Sequence, residues 1–319
     1  LEKRTERRRA KKKKRKGLKI FLTVVAVLVL SVVGYGLYVY SQVKDTVNNE
    51  IHEKIDSIES QPDKAKEGKE SLNILLMGVD ERENDTGRAD TLILLSLNPK
   101  TNSMQQISIP RDTYTDIIGY GTTDKINHSY AYGGTDMTVA TVENFLDVEL
   151  DYYVKINMEG LSQLVDAVGG VTVNNPIEWT DSGKDGYKAG YHYAQGEIEL
   201  NGEQAMGFVR MRKQDPAGDA GRNERQQILI NAIVKKGASV GSVTRIGDIL
   251  DVLGNNVNTN MSFDEMKSIF KNYRDTISNS ESYKIEGYGE YIGTTWYYMV
   301  PEEERQKVHD LIVDFNAEK

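Results

Sequence analysis

The chain has 319 residues, no cysteine, four histidines and a formal net charge of −8. Without cysteine there are no disulfides, thiolate metal sites or thiol nucleophiles, and with His52 in a polar stretch and His309 in a terminal helix pattern a His-based triad or His-rich zinc site is disfavoured. The charge is unevenly spread: residues 1–19 hold twelve Lys or Arg against Glu2 and Glu6, which leaves about −18 on the remainder by subtraction. So acidic a body is a poor general nucleic-acid binder, and positive groups clustered within it point to a defined anion.

After the basic block, Ile20 to Val43 runs for twenty-four residues without a charge. About 20 apolar residues span a bilayer, and Tyr35, Tyr38 and Tyr40 stand where an interfacial aromatic belt belongs. A cleaved signal peptide has a shorter apolar core and a small-residue cleavage site, and neither is present. The pattern predicts a cytoplasmic tail over 1–19, one transmembrane helix over 20–43 and an extracellular remainder, with the lipid bilayer as a partner. Residues 44–71 are polar, and Ile51, Ile55 and Ile58 recur at helical spacing, which predicts a short stalk helix ended by Pro62.

A globular region is expected over 72–319. L-N-I-L-L-M-G-V-D is a continuous apolar run that suits a buried strand delivering Asp80 at its end. Thr91–Leu97 and Met104–Ile109 flank N-P-K-T-N-S and read as a hairpin. Asp124–Tyr132 and Asp136–Phe145 read as helical, with a break at Gly133-Gly134. Strand, helix and strand follow at Tyr152–Asn157, Glu159–Val168 and Val171–Val173, and the segment from Pro176 to Gln195 reads as loop. Helices are expected at Gly202–Met206, Gly221–Lys236, Val243–Val252 and Phe263–Thr276, then strands near Tyr283–Tyr288 and Thr294–Met299, and a closing helix from Pro301. This alternation predicts an α/β domain, a mixed central sheet flanked by helices on both faces.

Chemistry concentrates in three places. Phe208–Gln227 packs Arg210, Arg212, Arg222 and Arg225 into sixteen residues around a Pro-Gly-Gly loop carrying Asp215 and Asp219. If the first part is extended, Arg210 and Arg212 share a face; on a helix Arg222, Arg225 and Gln226 do. Cationic forks beside a helix start describe a phosphate site, against the alternative of a solvated charged loop. G-V-D-E-R-E-N-D-T-G-R-A-D-T-L places Asp80 and Asp90 at adjoining strand ends, and two such carboxylates suit Mg²⁺ or Mn²⁺ shared with substrate phosphates. The alternative there is an acidic hairpin loop with Asp90 bonding backbone. I-P-R-D-T-Y puts Arg111 at a strand end, with Asp112 to orient it or only to pair with it, and Lys125 is either a phosphate contact or a solvated lysine. No P-loop, dinucleotide fingerprint, nucleophile elbow or zincin motif occurs.

Taken together, G-V-D-E-R with R-A-D-T-L, S-I-P-R-D-T-Y, D-K-I-N-H-S-Y-A-Y-G-G, V-D-A-V-G-G-V-T-V, L-N-G-E-Q-A-M-G-F-V-R-M-R and D-A-G-R-N-E-R-Q-Q resemble the LytR-CpsA-Psr family, in order from about Leu72 to Thr276. The resemblance is greatest to its teichoic acid–peptidoglycan branch. It implies an extracellular, membrane-anchored phosphotransferase moving an anionic glycopolymer, wall teichoic acid above all, from an undecaprenyl-diphosphate carrier to a peptidoglycan hydroxyl. By motif, Asp80 and Asp90 match the family's metal-linked acids, and Arg88, Arg111, Arg210, Arg212 and Arg222 its diphosphate-binding arginines, with Lys125 a looser match. Asp219 and Gln226 match its remaining polar site positions. Asp80, Asp90, Arg111 and Asp219 are thus the expected catalytic set, while Arg225 has no family role and reads as a surface charge. The alternatives are a polyprenyl-diphosphate phosphohydrolase with water as acceptor, and a non-catalytic regulatory or binding protein of the envelope.

Overall fold

The apolar run from Leu72 becomes β1 (Leu72–Val79), near the middle of a six-stranded sheet, in the computed structural model, which describes residues 35–58, 62–80, 86–183, 188–237 and 246–318. β2 (Ala89–Asn98) and β3 (Ser103–Ile109) follow β1 as antiparallel neighbours. Next come a short hairpin, β4 (Tyr114–Ile117) and β5 (Thr122–Lys125), and then β6 (Tyr152–Asn157), which lies parallel to β1 on its other side. A second small ladder joins β7 (Val171–Asn175) to β10 (Gly196–Leu200), with β8 (Trp179–Thr180) and β9 (His192–Tyr193) between them in sequence. β11 (Val257–Thr259) and β12 (Ser280–Lys284) close the two edges of the large sheet, antiparallel to β6 and parallel to β3. β13 (Tyr288–Ile292) and β14 (Thr295–Met299) make a separate hairpin. The large sheet is mixed, as the alternation of elements predicts.

The strands are apolar along both faces because helices cover both. Leu75, Met77, Val79, Leu92, Leu94 and Ile107 pack with Val139, Val142 and Phe145 of α3 (His128–Leu146) and with Val308 and Ile312 of α9 (Glu302–Ala317). The alternate residues Ile74, Leu97 and Met104 face the other way, toward α8 (Phe263–Tyr273). A third cluster joins α4 (Met158–Ala167), α5 (Gly202–Arg210), α6 (Asp219–Gly237) and α7 (Ile246–Asn256) around Phe208 and Trp179.

Two compact units divide the chain at Asp45 and Thr46. In the first, residues 35–45 are helical (α1), and Tyr35, Leu37, Tyr38 and Tyr40 are exposed. The predicted span 20–43 falls mainly outside the described residues, and among those described no helix is long and apolar enough to cross a membrane. The predicted stalk helix is not formed. A single π-turn over Val47–Ile51 leads into an extended stretch in which Glu53 donates its amide to the Thr259 carbonyl at 2.8 Å. Ile51, Ile55 and Ile58 are all buried, the last two in the main core, so tertiary burial overrides the helical spacing. Pro62 opens the next helix, α2 (Pro62–Glu67), where a missing N–H costs nothing.

A second expectation also changes: Asp124 and Lys125 end a β-hairpin, and the helix begins at His128. Gly119 and Gly121 turn that hairpin at φ of 85° and 72°, where a side chain would be strained. The Gly133-Gly134 break appears as a kink inside α3, with Gly134 at φ 65°.

Candidate functional site

The two acids meet at one edge of the sheet through a bulge. Gly78 pairs with Thr91 and Val79 with Ala89, so Asp90 is the extra residue on β2 and is turned out of the ladder. The amides of Asp80 and Asp90 both donate to the Arg88 carbonyl, at 3.2 and 3.0 Å. Arg88 thus joins the acids through its backbone, while its side chain is exposed and does not line the cleft.

Arg111, just past the end of β3, reaches Asp90 with an Nη1–Oδ1 distance of 3.0 Å and Asp112 with Nε at 3.5 Å. Asn127, at the foot of α3, donates from its side chain to the same Asp90 oxygen at 3.3 Å and from its amide to the Arg111 carbonyl at 3.2 Å. Asp90, Arg111 and Asn127 therefore hold one another in place.

From the opposite side come Arg210 at the end of α5 and Arg222 and Gln226 in the first turns of α6. With Asp80, Asp90, Thr91, Arg111 and Val209 they line a cleft of about 110 Å³. The predicted shared face of Arg210 and Arg212 does not occur, because α5 carries on through Arg210 and the chain turns at Met211. Arg210 then points into the cleft and Arg212 is exposed outside it. The Asp219 side chain lies outside the described residues. Lys125 forms an ion pair with Asp112 at 2.7 Å and stands beside the cleft rather than on its wall.

Arg225 is a correction. Far from a surface charge, it is fully buried. Its guanidinium donates through Nε to the Phe208 carbonyl at 2.9 Å and through its two terminal nitrogens to Asp215 and the Met211 carbonyl. It also stacks over Trp179, 5.3 Å from the ring centroid. Burial pushes its pKa below the ordinary arginine value, with Asp215 opposing that shift. The fork ties the end of α5 to the start of α6 and so fixes the spacing between Arg210 and Arg222. A Cβ on Gly221 would run into the Asp215 carboxylate, which accounts for a glycine in the first turn of α6.

Thr91, Val209 and Gln226 belong to a second wall as well. They also line an apolar cavity of about 270 Å³, which adjoins the polar cleft and is walled among others by Leu76, Val154, Leu161, Ile230, Ile233 and Leu253. Leu95 and Ile230 carry the apolar lining on into a further cavity of about 280 Å³ beneath α8. The apolar turns of α6 are therefore a cavity wall as well as core.

No group of three or more His, Cys, Asp or Glu placed to hold a metal occurs among the described residues. The hard oxygens of Asp80 and Asp90 on one cleft still fit a Mg²⁺ or Mn²⁺ that completes its shell from phosphate and water. Of the sequence-predicted residues, the cleft brings together Asp80, Asp90, Arg111, Arg210, Arg222 and Gln226, and leaves the side chains of Arg88, Arg212 and Lys125 outside. Asn127 went unsingled in sequence, although it sits inside the D-K-I-N-H motif.

The LytR_cpsA_psr family profile matches residues 36–312. The chain is 48% identical over 294 residues to "Polyisoprenyl-teichoic acid--peptidoglycan teichoic acid transferase TagU" of Bacillus anthracis, covering 90% of this chain and 94% of that one. The crystal structure of Bacillus subtilis TagU superposes with a TM-score of 0.63 at 44% identity, over 79% of this chain and 99% of that one. A structure described as "TagT bound to LIIa-WTA" gives a TM-score of 0.66 at 30% identity, over 85% and 98%. The chain belongs to the LytR-CpsA-Psr family and is a transferase.

Proposed function

We propose that the protein transfers an anionic wall glycopolymer, of the teichoic acid type, from an undecaprenyl-diphosphate carrier to a peptidoglycan hydroxyl on the outer side of the membrane. The observation that carries this reading is the junction at Thr91, Val209 and Gln226, where an arginine-lined cleft adjoins an apolar cavity. A diphosphate joined to a polyprenyl chain has that same division of character. The names of the similar proteins, a teichoic acid transferase and a relative bound to LIIa-WTA, support the choice of polymer.

In this reading Arg111, Arg210 and Arg222 neutralise the diphosphate and hold it in line with the acceptor, which is most of what phosphoryl transfer asks of a protein. The acceptor oxygen bonds to the phosphorus bearing the glycopolymer. The bridging P–O bond breaks, and prenyl phosphate leaves with the electron pair. The proton passes to one of the two cleft carboxylates, Asp80 or Asp90. A divalent ion held by Asp80 and Asp90 would supply further neutralisation of the phosphoryl oxygens. Leu76 and the α6 residues Ile230 and Ile233 house the first isoprene units and keep water from the diphosphate. The basic tail and the span over 20–43 anchor the enzyme at the membrane that holds its donor.

The test is transfer of labelled glycopolymer from a prenyl diphosphate to peptidoglycan. Arg111→Ala and Arg210→Ala each lower the rate about 10²–10³-fold, as loss of a preorganised charge donor does. Product that forms equally fast without peptidoglycan would replace this reading with hydrolysis.

A further inference from the structure

Beside the cleft, where the β4–β5 hairpin meets the start of α3 and the β13–β14 hairpin, lies an exposed aromatic surface. The rings of Tyr120 and Tyr132 stack at 4.1 Å and 7°, yet they remain 53% and 38% exposed. Tyr297 stands nearby, edge-on to Tyr114 at 4.8 Å. Asp124 organises the patch. Its carboxylate accepts from the Tyr132 hydroxyl at 2.6 Å, the Tyr297 hydroxyl at 3.4 Å and the Lys125 amide at 2.8 Å, and lies 2.8 Å from His128 Nδ1. The Tyr132 and Tyr297 hydroxyls are thereby tied down, and the stacked Tyr120–Tyr132 pair stays open to the outside.

The patch is continuous with the cleft. Lys125 pairs with Asp112 at 2.7 Å, Asp112 lies 3.5 Å from Arg111 Nε, and Arg111 pairs with Asp90 at 3.0 Å. The β13–β14 hairpin is fastened to the same place, since the Tyr298 amide donates to the Asp112 carbonyl at 2.8 Å.

Rigid, amphipathic tyrosine rings offer contact area at little entropic cost. The electron-rich ring face attracts the C–H face of a pyranose, whose hydrogens carry slight positive charge. Charge decides which sugar. Asp116, Asp124 and Glu290 on these hairpins oppose an anionic polymer and tolerate an uncharged glycan backbone. We infer that this surface is the acceptor subsite, a platform on which an uncharged glycan strand lies so that its hydroxyl reaches the Asp80–Asp90 cleft. The choice of acceptor rests on the transfer reading above; the surface itself does not.

The test is equilibrium binding of a soluble peptidoglycan glycan fragment, its peptides replaced by simple amides on the lactyl carboxyls so that the strand is uncharged, to the full chain. The wild type binds, the Tyr120→Ala/Tyr132→Ala variant binds about tenfold more weakly or worse, and Tyr132→Phe, which keeps the ring and loses its anchor, falls between. Tyr120→Ala alone, at an exposed position, still weakens binding and keeps the test open if the double variant misfolds. Absence of binding by the wild type, equal binding by the variants, or use of these rings only for anionic lipid vesicles overturns the platform. Transfer with an unchanged acceptor KM in the double variant overturns the platform and leaves the transfer reading standing. Tyrosine-dependent glycan binding without transfer does the reverse.

Discussion

Replacing Arg225 tests whether the buried fork sets the geometry of the cleft. Its side chain is 0% exposed and that of Asp215 is 5%, so Arg225→Met leaves a buried carboxylate without its cation. Breaking such a pair from one side costs about 3–5 kcal/mol. The Phe208 and Met211 carbonyls also lose a donor, and an unsatisfied buried acceptor adds about 1–3 kcal/mol where water cannot reach it. Against a typical total stability of about 5–15 kcal/mol, that leaves a weakly folded domain. Urea unfolding of the wild type, Arg225→Met, Asp215→Asn and the double variant measures both effects. The double variant should recover part of the loss, with a coupling energy of about 0.5–3 kcal/mol. Arg225→Lys, which keeps the charge without the fork, should remain destabilised and impair transfer at temperatures where it is fully folded. A cost below about 1 kcal/mol for Arg225→Met, or simple additivity in the cycle, would refute the clamp.

Three further outcomes are expected. Asn127→Ala removes the side-chain bond to Asp90, keeps the amide bond to the Arg111 carbonyl, and should lower transfer about 10–100-fold with the domain still folded, the usual effect of losing a group that orients a site; an unaltered rate would show that Asn127 does not orient Asp90. Ile230→Trp crowds the wall shared by the two apolar cavities, so KM should rise for long-chain prenyl donors and stay level for short soluble ones, at a stability cost of about 1–3 kcal/mol; an equal effect on both donors contradicts a lipid channel. The Tyr132 phenol is pushed up to about 12, first by its hydrogen bond to Asp124 and then by burial. Because the folded-state pKa lies above the unfolded value, its contribution to stability is fully present below about pH 10 and fades as pH rises through the folded value. Absorbance titration at alkaline pH should show Asp124→Asn bringing a tyrosine back toward pH 10, and an unchanged curve would refute the network around Asp124.

The core strands were legible because each carries its signal locally. L-N-I-L-L-M-G-V is apolar at successive positions only because both faces of β1 are covered, and that run marked the strand and the acid at its end. The bulge at Gly78/Val79 that turns Asp90 outward has no such signal, since it exists only in the pairing with β2. Arg225 misled for the same reason: a charge in a charged stretch reads as solvated, and its burial depends on carbonyls fourteen and seventeen residues away. The stalk isoleucines kept helical spacing but lie in the core, and the polar strand T-T-D-K is held by a hairpin and by aromatics from the far end of the chain. Local pattern finds elements buried along their whole length. Contacts made across long sequence separations decide the rest, and those shape the cleft.

A prenyl diphosphate bound to the purified protein, located in an experimental density map, would test the proposed donor site. The diphosphate should lie among Arg111, Arg210 and Arg222, beside Asp80 and Asp90, with the first isoprene units passing Val209 and Thr91 toward Ile230 and Leu76. A diphosphate seated elsewhere, or a chain lying on the outside with the apolar cavity closed, would contradict it.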